Sequence, residues 1–276
     1  MTEHGPLARY RALVAGGELK PDAAQEAIAR RLQQRHAELL ARPARWIDRR
    51  RQRHRPVRGL YLHGRVGRGK TLLMDLFADS LKASEIPVWR IHFHRFMDHV
   101  HDQLRERGRQ RDPLPAIAGE IAKRCRVLCF DEFHVSDIAD AMLLGGLLAT
   151  LFERGLCLVA TSNTAPRDLY AEGLQRRRFI PAIEAIETHC EVVHLEAATD
   201  YRLRELVRRE IYYHPIDEGA RSTMRERFAA MTRGERVRTG ALTLRGRSIE
   251  PLRRAGPVVW FDFRTLCEGA RSSGDY

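Results

Sequence analysis

The chain has 276 residues, 43% of them apolar and 30% charged, with a formal net charge of +12. That apolar content can fill one large core, or a core with a smaller module beside it. No stretch approaches the roughly 18 apolar residues of a membrane-spanning helix, and no apolar leader opens the chain, which points to the cytoplasm and leaves at most peripheral membrane association.

Nearly all the positive charge is arginine: 44 of the 48 basic residues are Arg and only four are Lys. An anionic partner would explain the excess, and so would a GC-rich genome, which also accounts for Asn163 being the only asparagine. Basicity by itself is a compositional bias and not a site. The five cysteines form no C-x-x-C pair, and several lie in apolar runs, which suits a reducing compartment.

Residues 1–58 form a helical, polar N-terminal segment. Asp22-Ala23-Ala24-Gln25 has the form of a capping box, in which Gln25 would reach back to the cap. Ile28, Leu32 and Leu39 follow at helical spacing. The basic run Arg45–Arg55 holds one aromatic, Trp46, too few for a stacking surface, so it is taken as a solvated face.

From residue 59 short apolar runs alternate with amphipathic stretches, the pattern of βαβ units in a parallel sheet. Strands are predicted at Gly59–His63, Pro87–Phe93, Arg126–Phe130, Leu156–Thr161 and Val192–Leu195. Helices are predicted at Gly69–Leu81, Arg95–Arg107 and Ile138–Phe152. This core occupies 59–198. Residues 199–276 differ: a helix over Tyr201–Tyr212, then strands over Val237–Leu244 and Val258–Phe263 around a turn at Gly246, form a mixed α+β accessory module.

Between the first strand and its helix stands Gly64-Arg65-Val66-Gly67-Arg68-Gly69-Lys70-Thr71, a P-loop of the form G-x-x-x-x-G-K-[ST]. Its glycines let backbone N–H groups face phosphates, and the following helix adds its positive end. Lys70 would reach the β- and γ-phosphates of ATP, and Thr71 would place its hydroxyl on Mg²⁺. A lysine here stands out in a chain with so few.

The third strand ends in Asp131 and Glu132. A buried parallel strand delivers its last residues to the sheet edge where ligands bind, so Asp131 suits the Mg²⁺ shell and Glu132 the polarisation of attacking water. Asn163 follows the fourth strand, where it could touch the γ-phosphate; alternatively it caps a helix over Ala165–Tyr170. Among Arg176, Arg177 and Arg178 one could serve a neighbouring subunit's site as a finger, or all three could be a solvated run. His92, His94, His99 and His101 lack the spacing of a zinc site and suit packing and nucleotide-linked hydrogen bonding better. No Asn-Lys-x-Asp motif supports guanine specificity.

These blocks together resemble the ZapE family of AAA+-like ATPases, which has bacterial cell-division members and mitochondrial relatives. The resemblance rests on Gly-Arg-Gly-Lys-Thr with Leu73–Phe77, on His92-Phe93-His94 with Phe96-Met97, and on Cys129–Phe133 with Asp137–Met142. Thr161-Ser162-Asn163, Gly173–Arg176 with Phe179–Pro181, and Trp260–Phe263 with Leu266-Cys267 complete it. It implies an α/β P-loop NTPase fold of the AAA+ type, Mg²⁺-dependent ATP hydrolysis and homo-oligomers. It implies Arg176 as the finger and a cell-division protein partner near the inner membrane, the bacterial branch fitting better. Family members continue past Gly274-Asp275-Tyr276 into a further helical segment, so the resemblance implies that a segment is missing here and that catalytic competence depends on it. Against this stands a nucleic-acid-associated ATPase resembling helicase loaders, suggested by the charge; a third possibility is a nucleotide-sensing scaffold with little hydrolysis.

Overall fold

Five strands, β1 (Gly59–His63), β2 (Val88–His92), β3 (Val127–Asp131), β4 (Cys157–Ser162) and β5 (Cys190–His194), pair in parallel in the order β2-β3-β4-β1-β5. The computed structural model describes residues 5–42, 56–108, 112–196, 215–232, 235–244, 247–256 and 258–268, and the chain divides into two compact units, Met1–Glu205 and Leu206–Tyr276. The Arg45–Arg55 run lies outside the described residues, as do the predicted Tyr201–Tyr212 helix and Gly246.

Both faces of the sheet are covered, so its inner strands are continuously apolar instead of alternating with polar residues. Side chains still alternate in direction. Leu60, Leu62, Val127, Cys129, Cys157 and Val159 face a layer made by α1 (Pro6–Ala15), α2 (Ala23–Leu40) and α3 (Lys70–Ala83). Tyr61, Leu128, Phe130, Leu158 and Ala160 face the opposite layer, made by α4 (Phe93–Arg107), α5 (Leu114–Arg124), α6 (Ile138–Glu153) and α7 (Ile180–His189). The aromatic centre of this second layer is tight: the Phe93 and Phe133 rings stand 4.5 Å apart, and Phe96 and Phe130 4.6 Å. The N-terminal helices belong to the first unit and form part of its core; Tyr10, Ile28, Ala29, Leu32 and Leu39 are all buried.

Each predicted strand of the core is present within three residues of its predicted bounds. Two helices of the core were not foreseen, nor were the two helices described in the second unit. α5 and α7 each begin at a proline-containing first turn, and α5 leads into β3. The capping box is half formed: Asp22 accepts from the Gln25 backbone N–H at 3.0 Å, but the Gln25 side chain does not return to Asp22. The Asp22 N–H is instead within 3.3 Å of the Tyr10 hydroxyl, which leaves the glutamine free to point elsewhere. Four cysteines are buried in the sheet and its helices, and burial pushes the thiols of Cys125 and Cys157 up to about 12, so neither is reactive near neutrality.

In the second unit α8 (Glu218–Met231) is capped by Asp217, which accepts from Ala220 N–H at 2.8 Å. Two hairpins follow, β6 (Leu242–Leu244) with β7 (Arg247–Ile249) and β8 (Arg253–Ala255) with β9 (Val258–Trp260), then a short α9 (Phe263–Cys267). The two predicted strands are thus shorter than expected and do not pair with each other; each belongs to its own hairpin. Phe228 of α8 and Trp260 of β9 pack with ring centroids 6.0 Å apart.

Candidate functional site

The strand registers align β1–β5 so that their last residues share one edge. His92 lies opposite Asp131, His63 opposite both Ser162 and His194, and the P-loop leaves directly from His63. The P-loop, Asp131, Glu132 and Asn163 therefore converge at the C-terminal ends of the strands, where ligands bind in open α/β sheets.

Gly64–Gly69 turns from β1 into α3. Two glycines are obligatory for stated reasons. Gly69 has φ +87°, a left-handed value costly for other residues, and a Cβ there would fall 2.6 Å from Gln25 Nε2. At Gly64 a Cβ would fall 2.6 Å from the Leu195 carbonyl. Lys70, the first residue of α3, is buried, and its ammonium donates to Gly64 O at 2.6 Å, Arg65 O at 2.8 Å and Asn163 Oδ1 at 3.1 Å. The charge is thus held inside the loop by carbonyl oxygens that phosphate oxygens can replace. Asn163 accordingly does not cap a helix: the expected Ala165–Tyr170 helix is a single 3-10 turn, Pro166–Asp168, with Ala165 before it and no side-chain cap.

Asp131 is 2% exposed. Its Oδ1 accepts from the Thr71 hydroxyl at 3.1 Å and the Thr161 hydroxyl at 2.7 Å, and its Oδ2 accepts from Arg90 Nη2 at 2.8 Å. Buried carboxylates persist as anions only with such partners. Arg90 also donates from Nε to Asp75 Oδ1 at 2.8 Å; burial would weaken its proton, but the two carboxylates outweigh that and raise its pKa further. Glu132, next along, is solvent-exposed and adopts φ +54°, an unfavourable backbone for a non-glycine residue. Its N–H donates to Thr161 Oγ1 at 3.2 Å, so one threonine fixes both the buried aspartate and the strained turn that throws Glu132 outward.

Arg90 and Thr161 carry site geometry that the sequence reading did not assign. A signal existed for Arg90, a lone charge in the strand Val-Trp-Arg-Ile-His. For Thr161 the signals were its place at a strand end and its membership of the Thr161-Ser162-Asn163 block that carries the family resemblance.

The donor set here fits Mg²⁺. Among the described residues no cluster of three or more His, Cys, Asp or Glu side chains could hold a metal by itself. Thr71 and Asp131 offer one hydroxyl and one carboxylate, the sparse set of an ion that keeps waters and takes phosphate oxygens. His92 Nδ1, buried and without a hydrogen-bond partner, stands 4.0 Å from Asp131 Oδ2, a polar atom left over beside this carboxylate. The His94 ring lies 6.0 Å from that of His92, while His101 bonds Asp140 at 2.7 Å and His99 packs edge-on against Trp89.

Arg176 belongs to a different element from these residues. It starts the 3-10 turn Arg176–Arg178, and its Nη2 donates to the Arg167 carbonyl. None of the hydrogen bonds among the described residues joins it to Lys70, Thr71, Asp131, Glu132 or Asn163. Among the described residues no helix is long and apolar enough to cross a membrane.

Known proteins resemble this chain along most of its length. The chain is 42% identical over 285 residues to the cell division protein ZapE of Escherichia coli K12, covering 98% of this chain and 76% of that protein. It is 37% identical over 235 residues to lactation elevated protein 1 homolog B of Danio rerio, covering 80% of this chain and 46% of that protein. A crystal structure of DnaI overlaps 63% of this chain and 84% of its own with a TM-score of 0.44 at 17% identity, too distant a likeness to bear on function. The AFG1-like ATPase family matches residues 4–276. With that match spanning nearly every residue and a close relative aligned along its length, the protein belongs to the AFG1-like ATPase family and is an ATPase.

Proposed function

We propose that the protein couples Mg²⁺-dependent ATP hydrolysis to the remodelling of a protein partner in bacterial cell division, working as a homo-oligomer. The observation that carries the hydrolytic part is one connected set of bonds: Lys70 to Asn163, Thr71 to Asp131, and Thr161 to both Asp131 and the Glu132 backbone. The phosphate cradle and the acidic strand end are thereby a single unit.

Each residue then has a physical task. The backbone N–H groups of Gly64–Thr71 and the ammonium of Lys70 hold the phosphates. To do so, Lys70 exchanges the Gly64 and Arg65 carbonyls for phosphate oxygens while Asn163 keeps its side chain aimed at the γ-phosphate end. Thr71 and Asp131 would hold Mg²⁺, which when bound offsets charge on the β- and γ-phosphates. Glu132, thrown outward by its left-handed backbone, is free to take a proton from the attacking water.

Arg176, held in its own chain by the Arg167 carbonyl, is assigned to the γ-phosphate of a neighbouring subunit. The division-ring setting rests on the ZapE likeness, and so does peripheral action at the cytoplasmic face of the membrane.

The deciding experiment is ATP turnover and binding by the purified chain with and without Mg²⁺, alongside Lys70→Ala. Saturable, Mg²⁺-dependent turnover that Lys70→Ala abolishes supports the reading, and equal binding by the variant sinks it. Steep salt-dependent DNA affinity with DNA-stimulated turnover would favour the helicase-loader alternative instead.

A further inference from the structure

His92 ends β2, and in the parallel pairing of β2 with β3 its partner in register is Asp131. The imidazole has one open edge and one buried edge. Its side chain is 36% exposed, yet Nδ1 is buried and has no hydrogen-bond partner among the described residues. Asp131 Oδ2 stands 4.0 Å from that nitrogen. Turning the ring over would set a carbon against the carboxylate in its place, so the carboxylate decides which edge faces inward.

A buried ring nitrogen left unpaired is costly and uncommon in native structures. Here it does not serve the helix that follows. His92 is the residue before α4, and its side chain makes no capping hydrogen bond. The neighbouring His94 ring lies 6.0 Å away, tilted by 33°, which is a ring contact and not a bond to Nδ1.

Asp131 lacks the complementary group. Its Oδ1 accepts from two hydroxyls, those of Thr71 and Thr161, while Oδ2 accepts from Arg90 alone among the described residues. A carboxylate oxygen has room for two donors. The spare nitrogen and the half-filled oxygen therefore face each other across a gap about 1 Å longer than an N–H···O hydrogen bond. The torsion that closes it, χ2 of His92, is a broad one. Nothing has to enter from outside, because both partners already lie side by side at the strand ends.

We propose that His92 is a positioning residue of the metal site: its Nδ1–H closes onto Asp131 Oδ2 when Mg²⁺ and nucleotide are bound. Arg90 and His92 then hold Oδ2 from two donors, and Oδ1 stays turned toward Thr71, with which Asp131 would share the metal. Hydrogen bonds to a carboxylate in a metal site fix its orientation and so set the affinity for the ion. The inference rests on Thr71 and Asp131 being the Mg²⁺ site.

The test is calorimetric affinity of the full chain for the non-hydrolysable β,γ-imido analogue of ATP, with Mg²⁺ and with a chelator. The quantity read is the factor by which Mg²⁺ tightens binding. His92→Leu should cut that factor by about tenfold, the lower end of what such outer partners contribute, with chelator affinity unchanged. His92→Asn places an amide N–H where Nδ1 stands, so it should keep the factor within about threefold of wild type. A wild-type factor in His92→Leu overturns the proposal, including the case where binding weakens equally with and without Mg²⁺. So does a His92→Asn factor as low as that of His92→Leu, which would assign the effect to packing of the ring. Wild type that Mg²⁺ does not tighten would overturn the metal reading beneath the proposal, and wild type that binds no analogue would overturn the P-loop reading. Thermal melting of each variant confirms that it is folded.

Discussion

Arg90 bridges Asp131 to Asp75, donating to each carboxylate at 2.8 Å from two different nitrogens of one guanidinium. It thereby ties the acidic end of β3 to the helix that leaves the P-loop. A forked, planar donor can hold both acids at once, which an ammonium cannot do with the same geometry. Replacing Arg90 with Gln should destabilise the fold by about 1.5–3 kcal/mol, the range for a hydrogen bond to a charged group, and Arg90→Lys should recover only part of it. Denaturant midpoints measure the first effect. Turnover should fall more than ATP affinity in both variants, and unchanged turnover would remove Arg90 from the site.

Glu132 has its backbone fixed by Thr161 and its carboxylate open to solvent. Glu132→Gln should bind ATP within a few-fold of wild type and lose turnover by about 10²–10⁴, the usual worth of a general base. Single-turnover hydrolysis beside equilibrium ATP binding separates the two. Loss of binding along with turnover would contradict the assignment.

Asn163 gives Lys70 one of its acceptors. Asn163→Ala should leave nucleotide affinity nearly intact, because the lysine's other two acceptors, the Gly64 and Arg65 carbonyls, are the ones that phosphate oxygens replace, while turnover falls by about 10² or more. If affinity and turnover drop together, the residue serves only to position Lys70.

Arg176 is held by its own chain. A finger supplied to a neighbour makes a distinctive prediction in mixtures. Arg176→Ala and Glu132→Gln, each inactive alone, should regain a fraction of wild-type turnover when combined, because some interfaces then pair an intact acid with an intact arginine. No recovery across mixing ratios would favour the solvated-run explanation for Arg176–Arg178.

His36 is fully buried, with Nε2 near the Ser80 carbonyl at 3.3 Å and the Ser84 hydroxyl at 3.2 Å. Burial lowers its pKa, opposed in part by the Ser80 bond. His63, beside the P-loop, is lowered as well, first by burial and then by the stacked His194 ring 4.8 Å away. A histidine whose folded pKa lies below the unfolded value of about 6.5 takes up its proton more readily when unfolded, so its stabilising effect is present above that pH and lost as pH falls below it. The Tm should therefore drop between pH 7.5 and 5.5. His36→Gln should lower the Tm at pH 7.5 and flatten that slope; a variant with an undiminished slope would assign the effect to other groups.

The P-loop, the acidic strand end and the strand after it were legible because each is a local pattern with one dominant explanation. A glycine-rich turn ahead of Lys-Thr, or four apolar residues ending in Asp-Glu, has few other uses in an alternating β/α chain. Asp22 was legible as a cap for the same reason. Gln25 was not: its spacing from Asp22 matches a capping box, but tertiary packing gives its side chain a better partner in Arg68. α5 and α7 escaped because each carries a proline at or beside its first turn, where local signals argue against a helix.

The amino-acid order alone determined the parallel α/β core and singled out Lys70, Thr71, Asp131, Glu132 and Asn163 as candidates, since these depend on periodicity and on contiguous motifs. Tertiary structure decided how they meet. Only the order β2-β3-β4-β1-β5 puts β4 between the acidic strand and the P-loop strand, which brings Asn163 to Lys70 and Thr161 to Asp131. Only folding carries Gln25 onto the Arg68 carbonyl of the loop and Arg90 onto the Asp131 carboxylate, each from an element with no motif of its own. Hydrogen-bond partners far apart in sequence are fixed by packing, and no local pattern records them.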